Sequence, residues 1–252
     1  MPDHRNVLVL GGTTEASALA DELARHAIGA TLSYAGRVRN LRAQPVAVRV
    51  GGFGGVQGLA DYLRETAVTH LVDATHPFAA TMSGNAVRAA GMAGVPLVAL
   101  TRRAWAPVAG DRWHNVADID AAVMALAGPA RRVMLATGRM HVAAFAAQPQ
   151  HSYLLRFVDA PDVPPTLPHH TLVVDRGPFD VAGDVQLMRG HAIDVVVAKN
   201  AGGSGAVAKL IAARNLGVPV IMIDRPIMPA RIEVQAVADV LRWLGHDADL
   251  GV

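Results

Sequence analysis

The chain opens with four branched apolar residues, 7–10 (VLVL), that run directly into the glycine turn 11–14 (GGTT). A continuous apolar run of this length, bounded by glycines, is typical of a buried parallel strand. After the turn, Ala16, Leu19 and Leu23 recur at helical spacing. The sequence therefore predicts a strand, a tight turn and a helix, which is the unit from which parallel α/β sheets are built.

The turn comes close to the dinucleotide-binding pattern G-x-G-x-x-G/A, with Gly11 first, Ala16 last and Thr13 in place of the middle glycine. The N–H groups and the dipole of a helix start attract anions. We predict that this turn holds the phosphates of a dinucleotide, and that the hydroxyl of Thr13 or Thr14 contacts them. The alternative is a plain turn in which a threonine caps the helix.

The second predicted strand, residues 30–34, indicates which dinucleotide fits. NAD enzymes place an acidic residue about 20 residues beyond the glycine turn, where it binds the ribose 2′-hydroxyl. This chain has Ser33, Arg37 and Arg39 there, and no acid. A hydroxyl and two arginines favour a 2′-phosphate, and hence NADPH. The alternative is a solvated basic loop.

Strand and helix patterns continue to alternate to the end of the chain. An irregular stretch at 104–115, with proline, glycine and two tryptophans, separates the two halves. Such alternation predicts parallel sheets with right-handed crossovers. We therefore predict an α/β fold of two Rossmann-like domains, each a parallel sheet flanked by helices, with a cleft between them. Residues 1–104 form the predicted NADPH-binding domain, and residues 105–252 the domain that closes over the substrate.

Two loops rich in glycine or polar residues follow later predicted strands of the first half. Residues 51–55 (GGFGG) hold four glycines in five positions, which indicates a tight turn or a backbone that approaches a ligand closely. Residues 73–78 (DATHPF) place Asp, Thr and His at the end of a strand, as site loops do. The alternatives are structural: Asp73 or Thr75 caps the next helix, and His76 is a surface histidine.

The second half carries a glycine-rich loop at residues 202–205 (GGSG), which lacks the G-K-[ST] of a nucleotide triphosphatase. It either binds a carboxylate at the start of the next helix or is a tight turn that needs positive φ. Arginine suits bidentate binding of carboxylate or phosphate. The arginines at predicted strand ends are therefore candidate ligand-binding residues: Arg37, Arg102, Arg139, Arg176 and Arg225.

Composition argues against several kinds of site. The chain has no cysteine, and its 11 histidines show no metal-ligand spacing, so we expect no metal site. The net charge is +2 and aromatic residues make up 4% of the chain, and the sequence has no stretch in which basic and aromatic residues alternate. We therefore do not expect the protein to bind nucleic acid. Without a membrane-length apolar run or a signal-peptide pattern, we expect a cytoplasmic protein with no membrane contact. The sequence leaves the oligomeric state open, and a monomer is compatible with it.

Several of these loops together are similar to those of one family. The motifs that carry the likeness are residues 11–16 (GGTTEA), 34–37 (YAGR), 51–55 (GGFGG), 73–79 (DATHPFA), 137–139 (TGR), 176–179 (RGPF) and 199–205 (KNAGGSG). The chain resembles the precorrin-6A reductase family of the cobalamin pathway from end to end, with every motif in order. One departure is Ala201, where many members have serine, so we expect no hydroxyl contact there.

The resemblance implies NADPH-dependent reduction of one ring double bond of precorrin-6A, a tetrapyrrole with several carboxylates, to give precorrin-6B. The cofactor-binding residues expected on this basis are Gly11, Gly12, Thr13, Thr14, Glu15, Ser33, Arg37, Arg39, Gly52, Phe53 and Thr75. The expected substrate-binding residues are Arg102, Thr137, Arg139, Arg176, Lys199, Asn200, Gly202, Gly203 and Ser204.

The implied chemistry is hydride transfer from nicotinamide C4 to a ring carbon, with protonation of its neighbour. A cationic macrocycle accepts hydride more readily, so the carboxylate of Asp73 would assist if it lay near the ring. His76 is the candidate proton donor, with solvent as the alternative. Two other functions stay open: a different NADPH reductase with an anionic substrate, and a non-enzymatic two-domain protein that binds a small anion. The binding protein has no need of a 2′-phosphate site.

Overall fold

The computed structural model describes residues 4–35, 43–157, 159–161, 163–175, 177 and 179–249. Three predicted ligand-binding arginines, Arg37, Arg39 and Arg176, lie outside the described residues. The chain divides into two compact units. The first comprises the chain up to Arg102 together with the segment from Ile227 onward, and the second is Arg103–Pro226.

The first unit is a parallel six-stranded sheet flanked by helices, in the order β12-β5-β4-β1-β2-β3. Its strands are β1 (Asn6–Leu10), β2 (Gly29–Tyr34), β3 (Ala47–Val50), β4 (His70–Asp73), β5 (Leu97–Leu100) and β12 (Ile232–Val234). Its helices are α1 (Thr14–Arg25), α2 (Gly55–Glu65), α3 (Ala80–Ala93) and α7 (Val237–Asp249).

The central strand β1 explains how this sheet is covered on both faces. Alternate side chains of a strand point to opposite faces. Val7 and Val9 accordingly belong to the core shared with α1 and α7, whereas Leu8 and Leu10 pack with α2 and α3. Residues 7–10 of the strand are therefore all apolar, as the sequence indicated, because both faces of the sheet are covered.

The order of the strands also creates a binding position. Strand β1 pairs with β2 on one side and β4 on the other, so that Leu10 is in register with both Ser33 and Asp73. The chain runs outward from β1 through β2 and β3, then returns to the other side with β4. In open α/β sheets, ligands bind outside the carboxyl ends of the two strands where the order reverses. In this sheet those strands are β1 and β4.

The second unit repeats this plan in the order β6-β11-β10-β7-β8-β9, again all parallel. Its strands are β6 (Trp113–Val116), β7 (Arg132–Ala136), β8 (Ser152–Phe157), β9 (His170–Val174), β10 (Val195–Lys199) and β11 (Val220–Ile223). Its helices are α4 (Ile119–Ala125), α5 (Val181–Gly190) and α6 (Ala208–Leu216), with a 3-10 helix at Arg139–Ala147. The strand order reverses between β7 and β10.

The structure corrects the predicted domain boundary. The prediction placed the whole of 105–252 in the second domain, but the chain returns to the first unit after Pro226. Strand β12 pairs with β5, with Val234 in register with Leu100, and Val240 and Leu244 of α7 are buried in the core of the first sheet. The alternation of strand and helix patterns does not reveal which sheet a late strand joins, because pairing is a long-range contact.

Two short segments of the second unit also differ in secondary structure from what the sequence predicts. The stretch 104–115, expected to be irregular, contains the start of β6, which pairs with β11. The sequence also predicts a helix over Met140–Ala147, and in the structure Arg139–Ala147 is a 3-10 helix. Among the helices of the described chain, none combines the length and apolar character that crossing a membrane requires.

Candidate functional site

The glycine turn after β1 has the local geometry that the sequence indicated. The N–H of Gly11 donates to the Ser33 carbonyl at 2.9 Å, and a Cβ on Gly11 would lie 2.6 Å from Cδ1 of Leu32. Gly12 has φ of +116°, a conformation that side chains disfavour. The positive φ therefore favours glycine at position 12, whereas a side chain at position 11 would require Leu32 to move.

Thr13 is the N-cap of α1. Its Oγ1 accepts from the N–H of Ala16 at 3.1 Å and donates to the Ala74 carbonyl at 2.8 Å. Both contacts serve the turn itself, as the capping alternative anticipated. Of the two hydroxyls predicted to meet a phosphate, that of Thr14 is the more exposed, and it donates to Glu15 at 3.1 Å.

A crevice that is partly open to solvent lies beside this turn, at the carboxyl ends of β1, β2, β3 and β4. Five of the predicted cofactor-binding residues line it, together with Leu10, Ala35, Gly51 and Met82. The five are Gly11, Ser33, Gly52, Phe53 and Thr75. The structure thus brings together residues from four separate predicted loops at the first strand-order reversal.

Sequence reasoning missed Arg49, which supports one wall of this crevice. Arg49 lies on β3, in register with Ser33. Its Nη1 donates to the Gly51 carbonyl at 2.6 Å, and its Nη2 to the Gly52 carbonyl at 2.8 Å. An arginine inside an otherwise apolar predicted strand, just before the glycines, was the available signal.

Asp73, predicted to assist the reaction if it lay near the ring, makes its contacts within the protein. Its carboxylate is buried, pairs with Arg231 at 2.6 Å and accepts from the Thr75 hydroxyl at 2.7 Å. The charge is therefore balanced inside the protein and is not exposed to a ligand, so Asp73 positions the loop after β4. Arg231 lies in the segment before β12, which the sequence gave no reason to connect with Asp73.

His76 is exposed at the same loop. Its Nδ1 accepts from the N–H of Phe78 at 3.2 Å, which in the neutral ring places the proton on Nε2. The imidazole centre is 5.9 Å from the Phe78 ring. The histidine is therefore oriented by its own loop with Nε2–H as its donor atom.

Glu15 and Arg102 were assigned to different ligands but meet each other. Nε of Arg102 lies 3.4 Å from Oε1 of Glu15, with both side chains largely buried. The pair joins the start of α1 to the end of β5 at the carboxyl edge of the first sheet. It places an arginine next to the glycine turn.

In the second unit, Thr137 and Lys199 come together where the strand order reverses. They directly follow Ala136 and Ala198, which are in register on β7 and β10. Thr137 is 4% exposed, and its hydroxyl has no hydrogen-bond partner among the described residues. Burial lowers the pKa of Lys199 to about 8. A buried donor beside a cation is suited to bind an anionic group.

His141 and Arg139 start the 3-10 helix that follows Thr137. Burial, and then the charge of Lys199, lower the pKa of His141 below its ordinary value. His141 is thus neutral at pH 7 and close enough to Lys199 to sense its charge. Arg139 is exposed at the same edge.

The side-chain amide of Asn200 makes hydrogen bonds within the protein. Its Oδ1 accepts from the Trp105 N–H at 2.8 Å, and its Nδ2 donates to the Trp105 carbonyl at 3.0 Å. The indole of Trp105 in turn donates to the Gly203 carbonyl at 2.8 Å. The amide predicted to hold substrate therefore anchors the loop that follows β10.

The conformation of Gly202 fits the second alternative for residues 202–205, a tight turn that needs positive φ. It has φ of +72°, and a Cβ there would overlap the Arg103 carbonyl. Arg225 donates to the carbonyls of Asn200 at 2.9 Å and Ala201 at 3.0 Å, so it too braces this loop. Ser204 is exposed and remains accessible to a ligand.

The first unit has three features that suit a dinucleotide: the turn at Gly12 with its positive φ, the N–H groups of Thr14 and Glu15 at the start of α1, and a lined crevice. The part of the chain that the structure describes contains no group of three or more side chains suited to hold a metal ion. The arrangement suits binding of an organic cofactor.

Comparison with known proteins agrees with this geometry. Residues 6–245 match the family model of precorrin-6x reductase CbiJ/CobK. The chain is 56% identical over 238 residues to a precorrin-6A reductase of Rhodobacter capsulatus, covering 94% of this chain and 95% of the relative. It is 48% identical over 241 residues to a precorrin-6A reductase of Rhodococcus erythropolis, covering 95% and 97%.

A solved structure of CobK precorrin-6A reductase is 55% identical and superposes with a TM-score of 0.92 over 96% of each chain. Similarity of this extent spans both units and both strand-order reversals. The chain belongs to the precorrin-6x reductase family, CbiJ/CobK.

Proposed function

We propose that the protein reduces precorrin-6A to precorrin-6B with NADPH, as a step of cobalamin biosynthesis. The observation that carries this proposal is the crevice beside the glycine turn, where five predicted cofactor-binding residues meet at the strand-order reversal of a family member. The names of the relatives supply the substrate, since they are precorrin-6A reductases.

On the cofactor side, the proposal assigns the pyrophosphate to the turn. The N–H groups of Gly12 and Thr13 in the turn, and of Thr14 at the start of α1, can donate to phosphate oxygens. The hydroxyl of Ser33 is the contact for the ribose, and Arg37 and Arg39 are proposed for the 2′-phosphate. NADPH supplies the hydride, from nicotinamide C4.

On the substrate side, the proposal assigns a macrocycle carboxylate to the Thr137 hydroxyl and the Lys199 ammonium. Their support is the unpartnered buried hydroxyl and the neighbouring half-buried cation. Arg102, Arg139, Arg176 and Ser204 are proposed as further contacts. Asn200, Gly202 and Gly203 are proposed to shape this site through the loop that they hold.

One proton must reach the atom next to the carbon that accepts the hydride. His76 is the proposed donor in the first unit, since its ring is exposed and its protonated, imidazolium form can release a proton from Nε2. Solvent is the alternative source. Asp73 would act only by fixing the loop that carries His76.

The experiment is incubation of the purified protein with precorrin-6A and NADPH, with absorbance recording the loss of NADPH and mass spectrometry the product. We expect a product heavier by two hydrogen atoms, formed in step with NADPH oxidation. Absence of turnover with NADPH binding intact would favour a different reductase. Absence of both would favour the anion-binding protein.

Cofactor choice is tested separately by calorimetric titration with NADPH and with NADH. We expect NADPH to bind more tightly, and the preference to diminish in the double variant Arg37→Ala/Arg39→Ala. Equal affinity of the wild-type protein for the two nucleotides would contradict the proposed cofactor.

A further inference from the structure

Ser33 and Arg49 face each other across β2 and β3 at the edge of the crevice. They are in register, and Nη1 of Arg49 lies 3.4 Å from Oγ of Ser33. Ser33 is only 4% exposed. Because an arginine can only donate, Ser33 is the acceptor in this contact and keeps its own hydroxyl hydrogen. Among the described residues, the Ser33 hydroxyl donates no hydrogen bond of its own.

Arg49 is held in place from three directions. Its two terminal nitrogens donate to the Gly51 and Gly52 carbonyls. Its guanidinium carbon lies 3.8 Å from the centre of the Phe53 ring and 5.2 Å from that of Tyr62. These two rings pack edge to face with centres 5.1 Å apart. Cation–π contact and paired hydrogen bonds together fix the guanidinium plane.

The positive charge of Arg49 is not balanced by an acid. No described Asp or Glu side chain lies within ion-pair distance of it. Carbonyl oxygens are its hydrogen-bond acceptors, so the guanidinium retains its full charge. A fixed, uncompensated cation at a crevice wall favours an anion in the crevice, and its immobility reduces the entropy lost on binding.

The position of the Arg49 guanidinium indicates which part of a bound dinucleotide its charge would affect. Ser33 is the penultimate residue of β2, the strand whose carboxyl end meets the adenosine ribose in dinucleotide-binding folds. Ser33, Gly51, Gly52 and Phe53 all line the crevice, and Arg49 contacts each of them. An anionic group on that ribose would meet the Ser33 hydroxyl hydrogen and the field of Arg49.

We propose that Arg49, acting with Ser33, selects nucleotides that carry a phosphate on the adenosine ribose. The inference rests on the proposed use of NADPH and adds a cation on β3 to the arginines expected after β2. Arg49 does this from a fixed position, with the GGFGG loop folded around it.

The test compares Arg49→Met with the wild-type protein in calorimetric titrations with NADPH, NADH and adenosine 2′,5′-bisphosphate. We expect the variant to bind NADPH and the bisphosphate on the order of 10- to 100-fold more weakly, because the fixed positive charge beside the ribose phosphate is lost. Affinity for NADH should change little. Ser33→Ala should produce a smaller loss of NADPH affinity than Arg49→Met, and it should weaken NADH less than NADPH.

Two controls keep the result interpretable. Arg64→Met removes an exposed arginine of α2 that pairs with Asp61, and it should leave all three affinities unchanged. Arg49→Lys retains the charge, so it should keep a preference for NADPH over NADH even if the glycine loop is less well held. Circular dichroism of each variant identifies any that fails to fold.

The results that would contradict the inference can be distinguished from those that would contradict the proposed cofactor. An equal loss of NADPH and NADH affinity in Arg49→Met would mean that Arg49 only shapes the loop, and it would overturn the inference. Unchanged NADPH preference in that variant would overturn it as well. If the wild-type protein shows no preference for NADPH, the proposed cofactor is itself wrong and the inference fails with it.

Discussion

Asp73 and Arg231 form a buried ion pair between residues 158 positions apart in the chain, with Nη1 of Arg231 2.6 Å from Oδ2 of Asp73. Both side chains are almost completely buried. Arg231 also contacts Glu233, at 3.0 Å. The pair connects the returning C-terminal segment to the loop after β4, and so fixes one side of the crevice.

Removing the arginine of this pair should strongly destabilise the first unit. Arg231→Met leaves the Asp73 carboxylate buried without its cation, which costs about 3 to 5 kcal/mol. We expect a lower urea midpoint, whereas Arg25→Met, at an exposed pair on α1, should change little. The double variant Arg231→Met/Asp73→Asn should recover part of the loss. No recovery would argue against the charge as the cause.

Gly202→Ala should destabilise the second unit by about 3 kcal/mol or more, because it combines a positive φ with overlap on the Arg103 carbonyl. The matched control is Gly205→Ala, whose added Cβ meets nothing within 4 Å. We expect the control to lie within about 0.5 kcal/mol of the wild type. Equal effects in chemical denaturation would show that the loop can relax.

Substrate affinity should fall as pH rises through about 8, because the pKa of Lys199 is about 8 and its ammonium is lost above that value. Steady-state kinetics between about pH 7 and pH 9 should show KM for precorrin-6A increasing. Lys199→Met should have a raised KM with no such dependence. Thr137→Val should raise KM at every pH and keep the wild-type profile. A pH-independent wild-type KM would contradict the carboxylate site.

His76→Ala tests the proposed proton donor. If the Nε2–H of His76 delivers the proton, kcat should fall on the order of 100-fold while KM for both reactants stays close to wild type. His76→Gln, which keeps a donor but not an acid, should behave similarly. Unchanged turnover per enzyme across about pH 6 to pH 8 would assign the proton to solvent.

Lys209 should make stability depend on pH. It is almost fully buried, with Nζ donating to the Ala206 carbonyl at 2.6 Å, and burial lowers its pKa to about 8 from an ordinary 10.5. Between those values the unfolded chain binds more protons, so stability should rise by about 2 kcal/mol from about pH 7.5 to pH 9.5. Lys209→Met should lack this rise in urea unfolding. Equal slopes for the two proteins would contradict the buried lysine as its source.

Local pattern in the sequence was enough for much of the fold. Residues 7–23 specify strand, turn and helix because the apolar run, the glycines and the helical spacing all act within a few residues. The same reasoning located the loops that line the crevice, since parallel strands of one sheet present their carboxyl ends together. The family resemblance, carried by these loops, is confirmed over nearly the whole chain.

The tertiary structure decided the contacts between distant residues. In the folded protein, Asp73 forms an ion pair with Arg231. The Asn200 amide is hydrogen-bonded to Trp105, and Arg49 contacts the hydroxyl of Ser33. The tertiary structure also returned β12 and α7 to the first unit. A sequence shows which residue types are available at a strand end, but side chains far apart in sequence find each other only when the sheet is assembled. Local patterns thus determined the elements, and long-range packing determined which polar groups are used by the fold and which remain for a ligand.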